Sequence, residues 1–272
     1  MIRIYLIAIF GVLLSSTASG QKNQIDTLNT GFNKASSLTV GNDAIYVVEN
    51  GAHRISKLDM NGNLLEKYGK RGSSNYQFDN PIDITTTNGL KLFVSDKGNN
   101  RIQVFDKRWQ YLSSIFGNER FQTNSEITPT FLGVNKLGEV YFYDEKARTL
   151  GKYNEDGAIL DQIPLPGEVK QVSEIQVAEG SIFILDKKSA LIHRISENGF
   201  YTSFYKAENT SSFVYTEKGM FVATTNAIVK HLSLTKVTIR SFEKNVEIRD
   251  LYVLEDKIYI LTSKELIRVI AK

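Results

Sequence analysis

Few side chains in this sequence are equipped for chemistry. Histidine occurs only at positions 53, 193 and 231, and cysteine is absent from all 272 residues. That absence removes thiolate nucleophiles, disulfides, thiolate zinc sites and iron–sulfur clusters. No HExxH pair, GxSxG elbow or phosphate-cradling glycine loop is present, so no residue is assigned a catalytic role. The acids are more suggestive. Asp83, Glu174 and Asp250 each stand at the start of a short alternating strand, in one column with Ser37, Phe131 and Ser212. If those strands meet around one axis, the three carboxylates face each other. Oxygen ligands so placed suit a hard cation such as Ca²⁺; without a cation, mutual repulsion favours a proton on one of them. Arg249, beside Asp250, is a candidate partner for the acids at the channel mouth. The histidines fall in three different columns: His53 before a third strand, His193 aligned with Gln103 and His231 with Val104. They are not expected to converge on a metal.

The elements that must position these residues recur. A short strand, a polar turn, an apolar strand and a third strand repeat six times. The apolar strands begin at Ile45, Leu92, Val140, Ile182, Met220 and Ile258. The preceding strands cover 38–40, 82–84, 132–134, 175–177, 213–215 and 251–253. The third strands cover 54–58, 101–105, 149–153, 191–195, 228–232 and 266–270. Turns such as Asn61-Gly62 and Asn198-Gly199 lead to a fourth strand in the first five units. The spacing of about 42 residues is that of a four-stranded propeller blade. The sixth unit ends after its third strand, and residues 24–28 have the alternation of the missing fourth. The expected fold is all-β: a six-bladed β-propeller of four-stranded antiparallel blades, closed by the N-terminal strand. Residues 21–34 supply that outer strand of the last blade. Trp109 occupies the turn slot that holds Gly62, Gly157 and Gly199 elsewhere, and is expected to pack on its own blade.

Residues 78–117 resemble the NHL repeat. Phe78-Asp79-Asn80-Pro81 enters the unit, residues 92–106 follow the signature through Asp96, Gly98 and Arg101, and Phe116-Gly117 ends it. Residues 48–55 and Tyr68-Gly69 are a second match, with Glu49, Gly51 and Arg54. Unit three keeps Asp144 but has Thr149 for the arginine; unit four keeps Asp186 but has Leu191. Units five and six lack the turn signature. The resemblance implies an NHL-like propeller of bacterial, exported type, not one activity, since such propellers serve in protein binding, RNA binding, sensing and lyase chemistry. Asp96 is expected to accept hydrogen bonds from its following turn. Gly98 is expected to take a positive φ, and Arg101 to reach neighbouring carbonyls or acids.

Residues 1–20 read as a signal peptide. Arg3 precedes an apolar run over 4–14, and Ala18 and Gly20 stand at −3 and −1 of a cleavage predicted after Gly20. Eleven apolar residues are too few for a span, which takes about 20, so no transmembrane segment is expected after cleavage. The expected location is the periplasm or the exterior. Lys+Arg of 33 against Asp+Glu of 30 gives +3, which with export argues against nucleic acid. Lys67, Lys70 and Arg71 read as a solvated loop cluster, 117–128 as a polar loop, and Asn209-Thr210-Ser211 as a sequon without consequence in a bacterial protein. The functional expectation is an exported binding or scaffold module for a protein, peptide or glycan in the bacterial envelope. Its cofactor is none, or Ca²⁺ at Asp83, Glu174 and Asp250. The alternatives are a propeller lactonase or lyase with a channel metal, and an extracytoplasmic sensor-like domain.

Overall fold

In the computed structural model the described residues are 25–87, 89–116, 127–154, 157–232, 235–242 and 245–270. The proposed signal peptide, most of the 117–128 loop and residue 24 of the closing strand lie outside them. The rest forms 24 strands and two short 3-10 turns. The strands make six antiparallel four-stranded sheets. Five sheets run inner to outer in chain order. In the sixth, strand Ile25–Thr30 pairs with the C-terminal strand Glu265–Ile270. The propeller therefore closes as its sequence predicts, with the first described strand completing the last blade. Asp26 and Arg268, on paired strands, form an ion pair at 2.9 Å, and Arg268 also donates to the Met60 carbonyl of blade one. Pairing across the chain ends covers an edge that would otherwise template association. No helix among the described residues is long and apolar enough to cross a membrane.

The inner strands are Ala35–Val40, Pro81–Thr87, Pro129–Val134, Val172–Ala178, Thr210–Thr216 and Ile248–Leu254. Each packs on the next and the last on the first, making a ring around a central channel. The core divides into six apolar clusters, one at each seam between blades. Period-two alternation explains this arrangement, because each sheet turns one apolar face to each neighbour. Leu38, Ile84, Leu132, Ile175, Phe213 and Leu251 form one buried column of the inner strands.

Trp109 belongs to this core rather than to the surface. Its ring stacks on Phe105 of its own blade at 4.3 Å and on Tyr68 of blade one at 4.4 Å. The packing is thus across a seam, and only 2% of the residue is exposed. Its slot demands a positive φ: Gly62, Gly157 and Gly199 take +87°, +82° and +84°, and Trp109 takes +64°. A bulky residue there is strained, and the aromatic stack offsets that strain.

Replacing Trp109 with Ala keeps the unfavourable φ and removes the stack. It should lower the unfolding free energy by about 3–5 kcal/mol, read by urea denaturation. A loss below about 1 kcal/mol would mean that the seam closes without the indole.

Candidate functional site

A β-bulge recurs in each inner strand and places the acids. The pairing of inner with second strand slips between residues 35 and 37, 81 and 84, 129 and 132, 172 and 174, 210 and 212, and 248 and 250. Bulges re-aim side chains. Here they fall at the column of Ser37, Asp83, Phe131, Glu174, Ser212 and Asp250. Asp83, Glu174 and Asp250 line a central cavity of about 420 Å³, with Gln176, Tyr215 and Tyr252 further along its wall. The three acids thus face one channel.

Each carboxylate reaches across a seam to a backbone N–H on the unpaired edge of the next inner strand. Asp250 of blade six accepts from Leu38 of blade one at 2.7 Å. Asp83 of blade two accepts from Leu132 of blade three at 2.7 Å. Glu174 of blade four accepts from Phe213 of blade five at 3.4 Å. Asp83 and Asp250 also accept from the following N–H of their own strands, Ile84 and Leu251, both at 2.8 Å. The Ser37 hydroxyl donates to Asp83 at 2.5 Å. Further along, Gln176 accepts from the Tyr215 N–H and donates to the Tyr215 carbonyl, and the Tyr252 hydroxyl donates to the Val40 carbonyl. Even-numbered blades thus supply the side chains that satisfy odd-numbered strand edges.

Burial pushes the Asp83 carboxyl up to about 6, against the hydrogen bonds from Ser37, Leu132 and Ile84. Burial, then the charge of Asp83, pushes Asp250 up to about 7. Burial, then the charge of Asp250, holds Glu174 well above the usual carboxylate range. The trio therefore keeps protons into the neutral range. Among the described residues no group of three or more histidines, aspartates or glutamates is placed to hold a metal ion. The acids instead spend oxygens on strand-edge N–H groups. Arg249 is not their partner: it lies off the cavity wall and pairs with Glu247 at 2.6 Å, with 45% of its side chain exposed.

None of the three histidines lines the channel. His53, at φ +51°, accepts from the Asn80 N–H. His193 is buried beside Asp186, Ser189 and Tyr201. His231 lies opposite Met220 as Phe105 lies opposite Leu92, so its column is that of Phe105 and not of Val104. Burial and the nearby Lys236 hold its imidazole below the ordinary value.

In blades one to four the acid of the turn motif anchors the loop that enters the inner strand. Glu49, Asp96, Asp144 and Asp186 accept backbone N–H bonds from Asn33, Asp79, Thr128 and Lys170 respectively. Asp144 and Asp186 also accept from their own turns, as expected for such acids. Asp96 differs: its other donors are the side chains of Asn99 and Arg101. Arg101 continues to the carbonyls of Ser74 and Gln77. Gly98 does not take a positive φ; that conformation falls on Asn100 at +51°. Gly98 is needed because a Cβ would sit 2.4 Å from the Asp79 carbonyl oxygen, to which its N–H donates.

Residues 78–105 match the family model of the NHL repeat. Over 85 residues the chain is 31% identical to the human E3 ubiquitin-protein ligase NHLRC1. That stretch covers 31% of this chain and 22% of the ligase. Virginiamycin B lyase from Staphylococcus aureus superposes with a TM-score of 0.67 at 14% identity, covering 92% of this chain and 99% of that one. A Bacteroides thetaiotaomicron protein of unknown function gives 0.68 at 12% identity, covering 91% and 72%. At these identities the solved structures speak for the fold: a six-bladed propeller that contains an NHL repeat.

The channel acids predict the sign of a pH dependence. Their folded values lie above the unfolded ones, so their stabilisation is complete below about pH 4 and is lost as pH rises through about 6 to 7. Glu49 and Asp186 act oppositely. Burial raises them, but hydrogen bonds outweigh it and hold both below the ordinary value, so their stabilisation is lost on acidification. Urea titrations should show stability falling from pH 5 to 8, on the order of 2 kcal/mol. An Asp83→Asn/Asp250→Asn variant should flatten that limb, and an unchanged slope would refute the assignment. Adding Ca²⁺ should leave the thermal midpoints of the unmodified chain and of an Asp83→Ala/Asp250→Ala variant each where they were; a rise in the unmodified chain alone would assign the cation to these acids.

Proposed function

We propose that this chain is an exported binding and scaffold module, which receives a protein, peptide or glycan partner in the bacterial envelope at the channel mouth. The observation that carries this reading is the rim formed by the turns after the inner strands. There Leu137 stands 81% exposed on a rigid turn, in which Asn135 accepts from the N–H groups of Leu137 and Glu139. Beside it, Lys136 of blade three pairs with Glu217 of blade five at 3.2 Å, both side chains 81% exposed. An apolar anchor flanked by charges on rigid backbone is a suitable contact for a partner. The channel acids, in contrast, are engaged in holding seams. Export rests on the sequence of residues 1–20.

The likeness to virginiamycin B lyase raises the enzyme reading. One solved form of that lyase is a catalytically inactive variant with a histidine changed to alanine. Here all three histidines lie away from the channel wall, which favours binding over lyase chemistry. The ubiquitin-ligase relative matches over too small a part of its length to lend its activity.

A Lys136→Glu/Leu137→Asp variant should keep its thermal midpoint, because both residues are exposed. It should lose about tenfold or more of the partner captured from envelope extract by the unmodified protein. Equal capture would place the binding surface elsewhere.

A further inference from the structure

Blade four carries a cleft where blade two is filled. In blade two, Arg101 and Gln103 both clamp the incoming connection: Arg101 holds the Ser74 and Gln77 carbonyls, and Gln103 bonds the Gln77 carbonyl and the Tyr76 N–H. The strand register puts Leu191 in the place of Arg101 and His193 in that of Gln103. Leucine has no hydrogen-bonding group, and His193 turns inward to Asp186 at 3.4 Å. The connection between Pro164 and Val172 is tied instead through the N–H groups of Lys170 and Gln171 to Asp186, and through the carbonyls of Val169 and Lys170 to Arg148 of blade three. An open cleft of about 640 Å³ remains, lined by Glu168, Lys170, Leu191, His193, Tyr201 and Phe204. That volume is in the range of small-molecule sites.

The cleft has a defined chemistry. Nε2 of His193 lies 3.3 Å from the Ser189 hydroxyl and 3.4 Å from Asp186, and Nδ1 lies 3.2 Å from the Tyr201 hydroxyl. Burial, then the charge of Glu168, raises the Tyr201 phenol and keeps it protonated. The Tyr201 hydroxyl can both donate and accept, so beside its contact with His193 it keeps hydrogen-bonding capacity for a ligand. Phe204, opposite His193 in the strand ladder, leaves 52% of itself exposed. The rim holds one ammonium, Lys170, and one carboxylate, Glu168, so neither an anion nor a cation is favoured. An aromatic wall beside balanced donors and acceptors matches a ring with an apolar face and a hydroxyl edge.

We propose that this cleft binds a neutral saccharide residue, with Phe204 stacking on the sugar face and Tyr201, Glu168 and Lys170 meeting its hydroxyls. The site lies on blade four, away from the rim, and does not depend on the proposed partner surface.

The test uses the whole protein with maltotriose, cellotriose and chitotriose, followed by saturation-transfer NMR and titration calorimetry. At least one should bind with a Kd of about 1 mM or tighter. Phe204→Ala should weaken it by about tenfold, and Tyr201→Phe severalfold, while Phe200→Ala, exposed outside the cleft, leaves binding unchanged. Thermal melts check that each variant folds, and Lys170→Ala, on an exposed side chain, replaces Tyr201→Phe if that variant does not. No binding of any trisaccharide at about 10 mM, or equal binding by Phe204→Ala, overturns the proposal.

Discussion

Six inner strands each turn one edge toward a shared axis, and satisfying those edges is the constraint on which the structure rests. An N–H left without a partner at the centre of a closed ring is costly. The chain meets this chiefly with side chains from the even-numbered blades, joined by Ser36 and Ser37 of blade one, which bond the Ile82 carbonyl and the Ile84 N–H. Asp83, Glu174 and Asp250 accept from N–H groups across three seams, and Gln176 and Tyr252 act similarly further along the channel. The arrangement buries three carboxylates in one channel, and their raised proton affinity follows first from burial and, for Glu174 and Asp250, also from a neighbouring carboxylate charge. What resembles an active-site cluster in the sequence is first of all an answer to an edge-strand problem.

The repeat is held by one principle carried out with different residues. An acid at the end of the second strand fixes the loop entering its own blade in blades one to four. Arginine completes that acid in blades one and two. In blade three no arginine meets Asp144; Arg148, one residue earlier, instead holds the loop entering the next blade through the carbonyls of Val169 and Lys170. In blade four His193 comes to Asp186 instead. In blades five and six the acid is gone: the hydroxyls of Thr224 and Thr262 accept from their own turns. The loss of signature therefore does not mean loss of the turn. Where the substitute is smaller than the arginine it replaces, as at Leu191, space is left.

Some assignments were legible and others were not, for reasons of geometry. The acid column was visible because period-two alternation fixes which residues share a level. The bulge that turns the column was not, since it adds no distinctive residue type. His231 lies in a degenerate unit without the arginine or acid, where one residue of register is undetermined until the strands pair. At Gly98 the sequence points to a positive φ, whereas the requirement is a close approach by the Asp79 carbonyl, a contact between separate segments that local pattern does not encode. Arg249 looked available beside Asp250, yet neighbours on a strand point to opposite faces.

By itself the sequence determined the six units, their strand order and the closing role of the N-terminal segment. These follow from local alternation and turn residues, which act over a few positions. Only the tertiary structure decided which groups meet: the carboxylates on foreign N–H groups, Trp109 between two blades, and the vacant space over Leu191. Such contacts depend on how separate blades are set against each other around the axis, and no short-range pattern records that.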